Sequence, residues 1–169
     1  MSEGRPPFAP YDAPAPGMFE AIYGALEASS LALIGPARPR LLVIPIHDDN
    51  GSVAGGLWGY TLFEWLHVQM LFVPEPLRGL GIGAALMASA EAEARDRGCR
   101  GVYVDTFSFQ AGPFYQRIGF TQYGRLSDCP PGHDRMYLCK RFGVAPGLAA
   151  TVRQRAALSR NTARPAIGR

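Results

Sequence analysis

Residues 73–84 read Val73-Pro-Glu-Pro-Leu-Arg78-Gly79-Leu80-Gly81-Ile82-Gly83-Ala84, and this stretch decides the fold of the chain. It follows an apolar run that is typical of a strand and opens a pattern that is typical of a helix. Because its three glycines have no side chains, they leave backbone N–H groups open at the start of the helix. Such amides, together with the helix dipole, favour anions. The stretch therefore predicts a site for a diphosphate-bearing cofactor.

Length and composition indicate one domain of ordinary soluble character. The chain has 169 residues, of which 47% are hydrophobic and 18% are charged, and these values are usual for a globular protein. No apolar run approaches the ~20 residues of a membrane span, and the N-terminus lacks the pattern of a secretory signal. An odd number of widely spaced cysteines favours a reducing, cytoplasmic location over a disulfide framework.

The net charge of +3 is unevenly distributed along the chain. Residues 143–169 contain arginines and no acidic residue, so the rest of the chain is mildly acidic. We therefore predict no nucleic-acid partner and no membrane partner. We divide the chain into a proline-rich N-terminal arm over 1–17, one domain over 18–142, and a basic C-terminal tail over 143–169 that we expect to be flexible.

The hydrophobic periodicity predicts a strand meander followed by a crossover helix. Asn50-Gly51 is typical of a hairpin turn. Because a crossover helix joins them, the strands on either side of that helix should be parallel. The predicted elements, in chain order, are a helix over 18–32; strands over 41–46, 52–60 and 64–73; a helix over 81–97; a strand over 101–106; a short helix over 112–118; and strands over 120–126 and 135–141.

The glycine-rich stretch has other interpretations. A Walker phosphate loop does not fit, because no Gly-Lys-Ser/Thr follows. Gly79, Gly81 and Ala84 do fit the dinucleotide fingerprint, with Asp105 about 20 residues further on. In that fold, however, the glycine turn leaves its strand at once, whereas residues 74–77 intervene in this chain. A plain tight turn without a ligand also remains open.

Two motifs together resemble the GCN5-related N-acetyltransferase family. Arg78-Gly79-Leu80-Gly81-Ile82-Gly83 matches the family pattern Gln/Arg-x-x-Gly-x-Gly/Ala at a strand–loop–helix junction. Phe114-Tyr115-Gln116-Arg117-Ile118-Gly119-Phe120 matches the second family element, Phe/Leu-Tyr-x-x-x-Gly-Phe. The resemblance covers about residues 18–142. It implies a mixed α/β (α+β) fold, with a mostly antiparallel sheet of six or seven strands, flanking helices, and two central parallel strands that splay apart.

The resemblance implies acetyl-CoA as the co-substrate. The pyrophosphate would lie on the amides of Leu80 to Ala84, and the pantetheine arm would pair with the strand before the loop. Many members carry an asparagine seven residues before the motif tyrosine. Ser108 occupies that position in this chain, and Gln110 is a second candidate nearby. The implied cofactor-binding residues are Leu71, Phe72, Val73, Arg78, Gly79, Leu80, Gly81, Ile82, Gly83, Ala84, Ser108, Gln110 and Phe114.

Acetyl transfer to an amine needs a neutral amine, donors for the developing oxyanion, and a proton for the departing thiolate. The resemblance implies that Tyr115 supplies this proton and that the N–H of Val73 is the oxyanion donor. Glu64, placed early in the strand over 64–73, is the candidate base, and a water chain is the alternative. His67 would lie on the opposite face of that strand. No cysteine or histidine cluster has metal-ligand spacing, so no metal is predicted.

The resulting hypothesis is an N-acetyltransferase that acts on a primary amine, in a ternary complex with acetyl-CoA. The resemblance favours a small-molecule acceptor over a protein, and a homodimer is common in the family. Two alternatives stay open from the sequence. One is a catalytically silent acetyl-CoA-binding sensor or interaction domain, and the other is a small nucleotide-binding oxidoreductase.

Overall fold

The computed structural model describes residues 10–35 and 38–143, which form two compact units divided after Arg38. Most of the predicted N-terminal arm and nearly all of the predicted basic tail lie outside the described residues. The first unit contains helix α1 (Met18–Ile34), as predicted apart from two further residues at its end. Within the described ranges no helix has both the length and the apolar character needed to cross a bilayer.

The second unit contains one sheet and two helices, and their order and type agree with the prediction. The sheet has six strands in the order β1-β2-β3-β4-β6-β5. Its elements are β1 (Arg40–His47), β2 (Val53–Leu62), β3 (Trp65–Phe72), a single 3-10 turn (Glu75–Leu77), α2 (Ile82–Asp96), β4 (Gly101–Phe107), α3 (Gly112–Arg117), β5 (Thr121–Leu126) and β6 (Arg135–Arg141).

One parallel pair joins two antiparallel half-sheets. β3 and β4 are parallel, as the crossover through α2 requires, whereas every other pair of neighbouring strands in this sheet is antiparallel. This arrangement is not the doubly wound parallel sheet in which the dinucleotide fingerprint occurs. The mixed, mostly antiparallel fold predicted from the sequence is therefore confirmed.

The two central strands separate partway along their length. β3 pairs with β4 over Trp65–Val68 and Gly101–Val104 only, although both strands continue beyond this segment. At the same level Gln69 has no partner on β2, so β3 contains a bulge. Such an extra residue bends a strand and interrupts its pairing. The bulge therefore coincides with the point where the sheet opens.

The core lies between the sheet and α2. Alternate residues of the central strands, such as Leu66, Val102 and Leu138, are fully buried, as the two-residue period of a strand predicts. α2 covers them with Met87 and Ala90, which are buried in the same cluster. Removal of this apolar surface from water is the main contribution to stability. It also fixes the first turn of α2 beside the opening between β3 and β4.

Candidate active site

A cavity of about 1120 Å³ lies where β3 and β4 separate. Its walls come from the second half of β3, the loop and first turn of α2, the end of β4, and α3. This volume exceeds the roughly 300–1,000 Å³ of ordinary small-molecule pockets. The cavity therefore suits a long ligand that spans several elements.

The glycine loop forms one end of the cavity. Gly79 and Gly81 have φ angles of 77° and 81°, in the left-handed region that favours glycine. A Cβ atom at either position would meet nothing within 4 Å, so the backbone conformation, not crowding, requires glycine at both. Gly81 is also the N-cap of α2 and provides no side-chain acceptor for the first turn. The first-turn amides are therefore available to an anion.

The side chain of Arg78 stabilises the loop by contacting the residues at the end of β3. Its Nε donates a hydrogen bond to the carbonyl oxygen of Val73 at 3.0 Å, and its guanidinium lies 5.9 Å from the centre of the Phe72 ring. Arg78 and Arg117 are the cationic side chains among the described residues that line the cavity. The sequence motif identified Arg78, whereas nothing in the spacing distinguished Arg117 from an ordinary surface arginine.

Most of the predicted cofactor-binding residues line this cavity, but two do not. Leu80 is 68% exposed and its side chain lies outside the cavity. Ser108 also lies outside the cavity, and its Oγ accepts a hydrogen bond from the N–H of Asp134. The structure therefore does not bring the side chains of Leu80 and Ser108 to the cavity, and the predicted role of Leu80 stays with its backbone amide. The predicted residues that do line it are Leu71, Phe72, Val73, Arg78, Gly79, Gly81, Ile82, Gly83, Ala84, Gln110 and Phe114.

Gln110 presents a hydrogen-bond donor to the cavity. Its side-chain oxygen accepts hydrogen bonds from the hydroxyl of Thr106 and from the N–H of Phe107, both at 3.1 Å. Because a backbone N–H can only donate, these contacts identify that atom as oxygen and leave the side-chain NH₂ group free to donate. Of the two candidates for the position that asparagine holds in the family, Gln110 is the one that lines the cavity.

Tyr115 lies in α3 with only 5% of its surface exposed. Burial raises the pKa of its hydroxyl to about 12, and the carboxylate of Asp105 contributes to this shift. Phe114 and Phe120 pack against the ring with centroid distances of 5.1 and 5.5 Å. Among the described residues the hydroxyl has no hydrogen-bond partner, and Tyr115 lines the cavity. At neutral pH it is therefore an uncharged donor facing the ligand space.

Glu64 does not lie near this cavity. It is part of the tight turn between β2 and β3, where Phe63 and Glu64 both have positive φ angles. Its carboxylate pairs with the guanidinium of Arg100, and both side chains are more than half exposed. The turn lies at the opposite end of β3 from the glycine loop, so the structure does not bring Glu64, the predicted base, to the cavity. The prediction started this strand one residue early, because β3 begins at Trp65.

The structure contains a polar cluster beside the cavity that was not predicted from the sequence. Nε2 of His67 on β3 lies 3.8 Å from Oδ1 of Asp105 on β4, and Nε of Arg135 on β6 donates to Oδ2 of Asp105 at 2.7 Å. Nδ1 of His67 lies 3.3 Å from the hydroxyl oxygen of Tyr60, and the His67 ring stacks on Tyr103 at 4.4 Å.

The electrostatics of this cluster favour a neutral imidazole. Burial lowers the pKa of His67, and the neighbouring carboxylate of Asp105 offsets this shift only in part. The signal that could have identified the pair is the register of the parallel strands. His67 faces Tyr103 across the β3–β4 pair, so Asp105, two residues further on the same face of β4, lies next to it.

The comparisons agree with this geometry. A family model described as the acetyltransferase (GNAT) family matches residues 9–120. The acetyltransferase Atu2258 of Agrobacterium fabrum is 48% identical over 123 residues, which cover 73% of this chain and 90% of that protein. The blasticidin-S acetyltransferase of Streptomyces morookaense is 47% identical over 120 residues, which cover 70% of this chain and 88% of that protein.

A solved structure shows the same fold. The crystal structure of a proposed acetyltransferase from Agrobacterium tumefaciens superposes with a TM-score of 0.75 and 45% sequence identity. The match covers 80% of this chain and 98% of that one. The similarity therefore extends over almost the whole of that protein.

Proposed function

This chain belongs to the GNAT family of acetyltransferases, and from that premise we propose that it transfers the acetyl group of acetyl-CoA to a primary amine of a small molecule by direct attack in a ternary complex. The observation that carries this proposal is the cavity at the strand opening. It combines an uncapped helix N-terminus, an unpaired strand edge and a buried neutral tyrosine.

The residues around the cavity fit acetyl-CoA. The first-turn amides of α2 would hold the pyrophosphate, and the loop conformation set by Gly79 and Gly81 keeps these amides clear of side chains. Beyond Val68, β3 has no strand partner on the β4 side, so its free N–H and C=O groups would pair with the amides of the pantetheine arm. Arg117 and the side-chain NH₂ of Gln110 provide further polar contacts on the opposite wall.

Two groups of the protein would perform the chemistry of acetyl transfer. The backbone N–H of Val73 would donate to the carbonyl oxygen as negative charge develops on it. Tyr115 would donate its proton to the sulfur that departs. Because the pKa of Tyr115 is about 12, its hydroxyl is protonated at neutral pH and remains able to donate throughout the pH range of an amine acetyltransferase.

The acceptor is proposed from two observations. Among the described residues that line the cavity, Asp105 is the one that carries a carboxylate, and a carboxylate attracts an ammonium group. In addition, the similar protein from Streptomyces morookaense is named for blasticidin S. We therefore expect a small cationic amine, and blasticidin S is the first acceptor to test.

Thiol release with acetyl-CoA tests the proposal. Blasticidin S, aminoglycosides, polyamines, amino acids and a short peptide would each be offered, with calorimetry used in parallel to measure the affinity for acetyl-CoA. Turnover with at least one small amine supports the proposal. Tight binding of acetyl-CoA without turnover of any amine would instead favour a sensor domain. Turnover of the peptide alone would indicate that the acceptor is a protein and not a small molecule.

A further inference from the structure

We infer that Asp105 and His67 form the acceptor-amine site of this enzyme, in which Asp105 holds the ammonium group and His67 takes its proton. The inference rests on the proposed function, because it assigns the base that amine acetylation needs. It replaces Glu64, which lies at the far end of β3, with Asp105, which lines the cavity where the strands separate, and with His67, which lies beside Asp105 in the last paired segment of β3.

The position of Asp105 follows from the strand register. The last β4 residue that pairs with β3 is Val104, opposite Val68. Asp105 is the next residue, so its backbone lies where the strands begin to separate. Asp105 lines the cavity, and its charge contributes to the raised pKa of Tyr115. The carboxylate of Asp105 and the hydroxyl of Tyr115, the proposed proton donor, therefore face the same cavity and interact electrostatically.

The spacing between Asp105 and His67 suits a bridging donor. A distance of 3.8 Å between Oδ1 and Nε2 is too long for a direct hydrogen bond. An ammonium nitrogen or a water molecule can donate to both atoms across such a gap. Oδ2 of Asp105 already accepts two contacts from Arg135, at 2.7 and 2.6 Å, so Oδ1 is the oxygen left for the acceptor. The two side chains are 19% and 25% exposed, so a small amine can reach them.

The surroundings of His67 permit the tautomer that a base needs and lower its proton affinity. Tyr60 on β2 lies against Nδ1, and the tautomer that donates from Nδ1 to Tyr60 leaves the lone pair of Nε2 facing Asp105. Tyr103 on β4 stacks on the ring, and Arg135 on β6 pairs with Oδ2 of Asp105. Because burial lowers the pKa of His67, the imidazole is neutral at neutral pH and able to accept a proton.

The proton balance of the reaction is complete with these residues. The ammonium gives one proton to Nε2 of His67, which releases it to solvent. The neutral amine then forms a C–N bond to the acetyl carbon as the C–S bond breaks. The thiolate takes the proton of Tyr115, and the second proton lost from the nitrogen restores the Tyr115 hydroxyl. One proton is released overall for each acetyl group transferred.

His67→Gln tests the inference, with His47→Gln as the matched control. His47 is an exposed residue at the end of β1 and does not line the cavity. With blasticidin S, or the best amine of the panel, we expect His67→Gln to lower kcat/KM by about 100-fold, within the range for loss of a general base. The affinity for acetyl-CoA should be unchanged in both variants, and His47→Gln should retain wild-type turnover.

The pH profile separates a base from a structural residue. Because protonated His67 cannot accept a proton, wild-type kcat/KM should fall as the pH drops through the lowered pKa of His67. This limb should be absent in His67→Gln, and imidazole added to His67→Ala should restore part of the activity. A wild type that acetylates its amine while His67→Gln keeps the same rate and profile would overturn the inference alone. A wild type that acetylates nothing would overturn the proposed function and the base together.

Discussion

The proposed cofactor site and the proposed acceptor site are built in different ways. The proposed cofactor site is one continuous stretch, residues 73–84, which would bind through its backbone amides. The proposed acceptor site brings together His67 from β3, Asp105 from β4 and Arg135 from β6; it is formed by side chains, of which Asp105 lines the cavity. A continuous loop is visible in the sequence, whereas a cluster drawn from three strands appears only once their pairing is known.

The two ends also tolerate substitution differently. The glycine loop depends on φ angles that few other residues adopt, so almost any side chain there disturbs the backbone. The acceptor cluster depends on the functional groups of its side chains, which can change without changing the sheet. We therefore expect relatives to share the loop and to differ at the cluster according to their acceptor.

Tyr115→Phe should have the largest effect on turnover, because it removes the hydroxyl that we propose as the proton donor. We expect kcat to fall by about 100-fold or more, as for loss of a general acid, whereas the Kd for acetyl-CoA should change by less than about twofold. Single-turnover kinetics and calorimetry provide the two measurements. Tyr123→Phe, at an exposed tyrosine outside this cavity, is the control. An unchanged kcat in Tyr115→Phe would contradict the proposal that Tyr115 is the general acid.

The sequence predicted most of the fold because its decisive signals are local. The order of elements and the parallel pair followed from periodicity and from the crossover helix, and the two motifs pointed to residues most of which line the cavity. Glu64 was predicted to lie in a strand but lies in a turn, because the predicted strand began one residue too early. Asp105 stood out in the sequence only as part of a dinucleotide fingerprint, since its neighbours His67 and Arg135 lie 38 and 30 positions away in sequence.

Gly81→Ala should weaken acetyl-CoA binding by roughly tenfold, about 1.4 kcal/mol. An alanine in the left-handed region costs about 1–2 kcal/mol, and the strain lies at the first turn of α2. Gly98→Ala is a matched control, because Gly98 has the same φ of 81° and equally open surroundings but lies at the other end of the helix. Both variants should lose similar stability in urea titrations. Equal loss of acetyl-CoA affinity in both would argue against the loop as the phosphate site.

Arg135→Gln should affect the acceptor end alone. Without its partner at Oδ2, Asp105 is held less firmly, and we expect kcat/KM for the amine to fall by about fivefold, less than the loss of a direct hydrogen bond to a charged group, because Arg135 acts on the amine only through Asp105. The affinity for acetyl-CoA should not change. Arg125→Gln, which breaks an arginine–aspartate pair with Asp134 outside the cavity, should leave both values unaltered. A loss of acetyl-CoA affinity in Arg135→Gln would show that the two ends are not separable.

Glu64→Gln should have the smallest effect. Both side chains of its ion pair with Arg100 are exposed to solvent, and such pairs contribute about 0–1 kcal/mol to the free energy of unfolding. We expect kcat within about twofold of the wild type, since a rate change of that size is near 0.4 kcal/mol and within normal variation. Steady-state assays at several pH values provide the measurement. A large loss at neutral pH that disappears at low pH, where the wild-type carboxyl is protonated as well, would restore Glu64 as a base.

The short parallel contact between β3 and β4 has a mechanical consequence. Four residue pairs connect the half-sheet β1-β2-β3 to the half-sheet β4-β6-β5, and beyond them the space is open. A bound pantetheine arm would take the place of an additional strand there and join the two halves along their full length. Binding of the donor substrate should therefore stiffen the protein before any amine arrives, so that hydrogen exchange along the outer ends of β3 and β4 slows when acetyl-CoA is added.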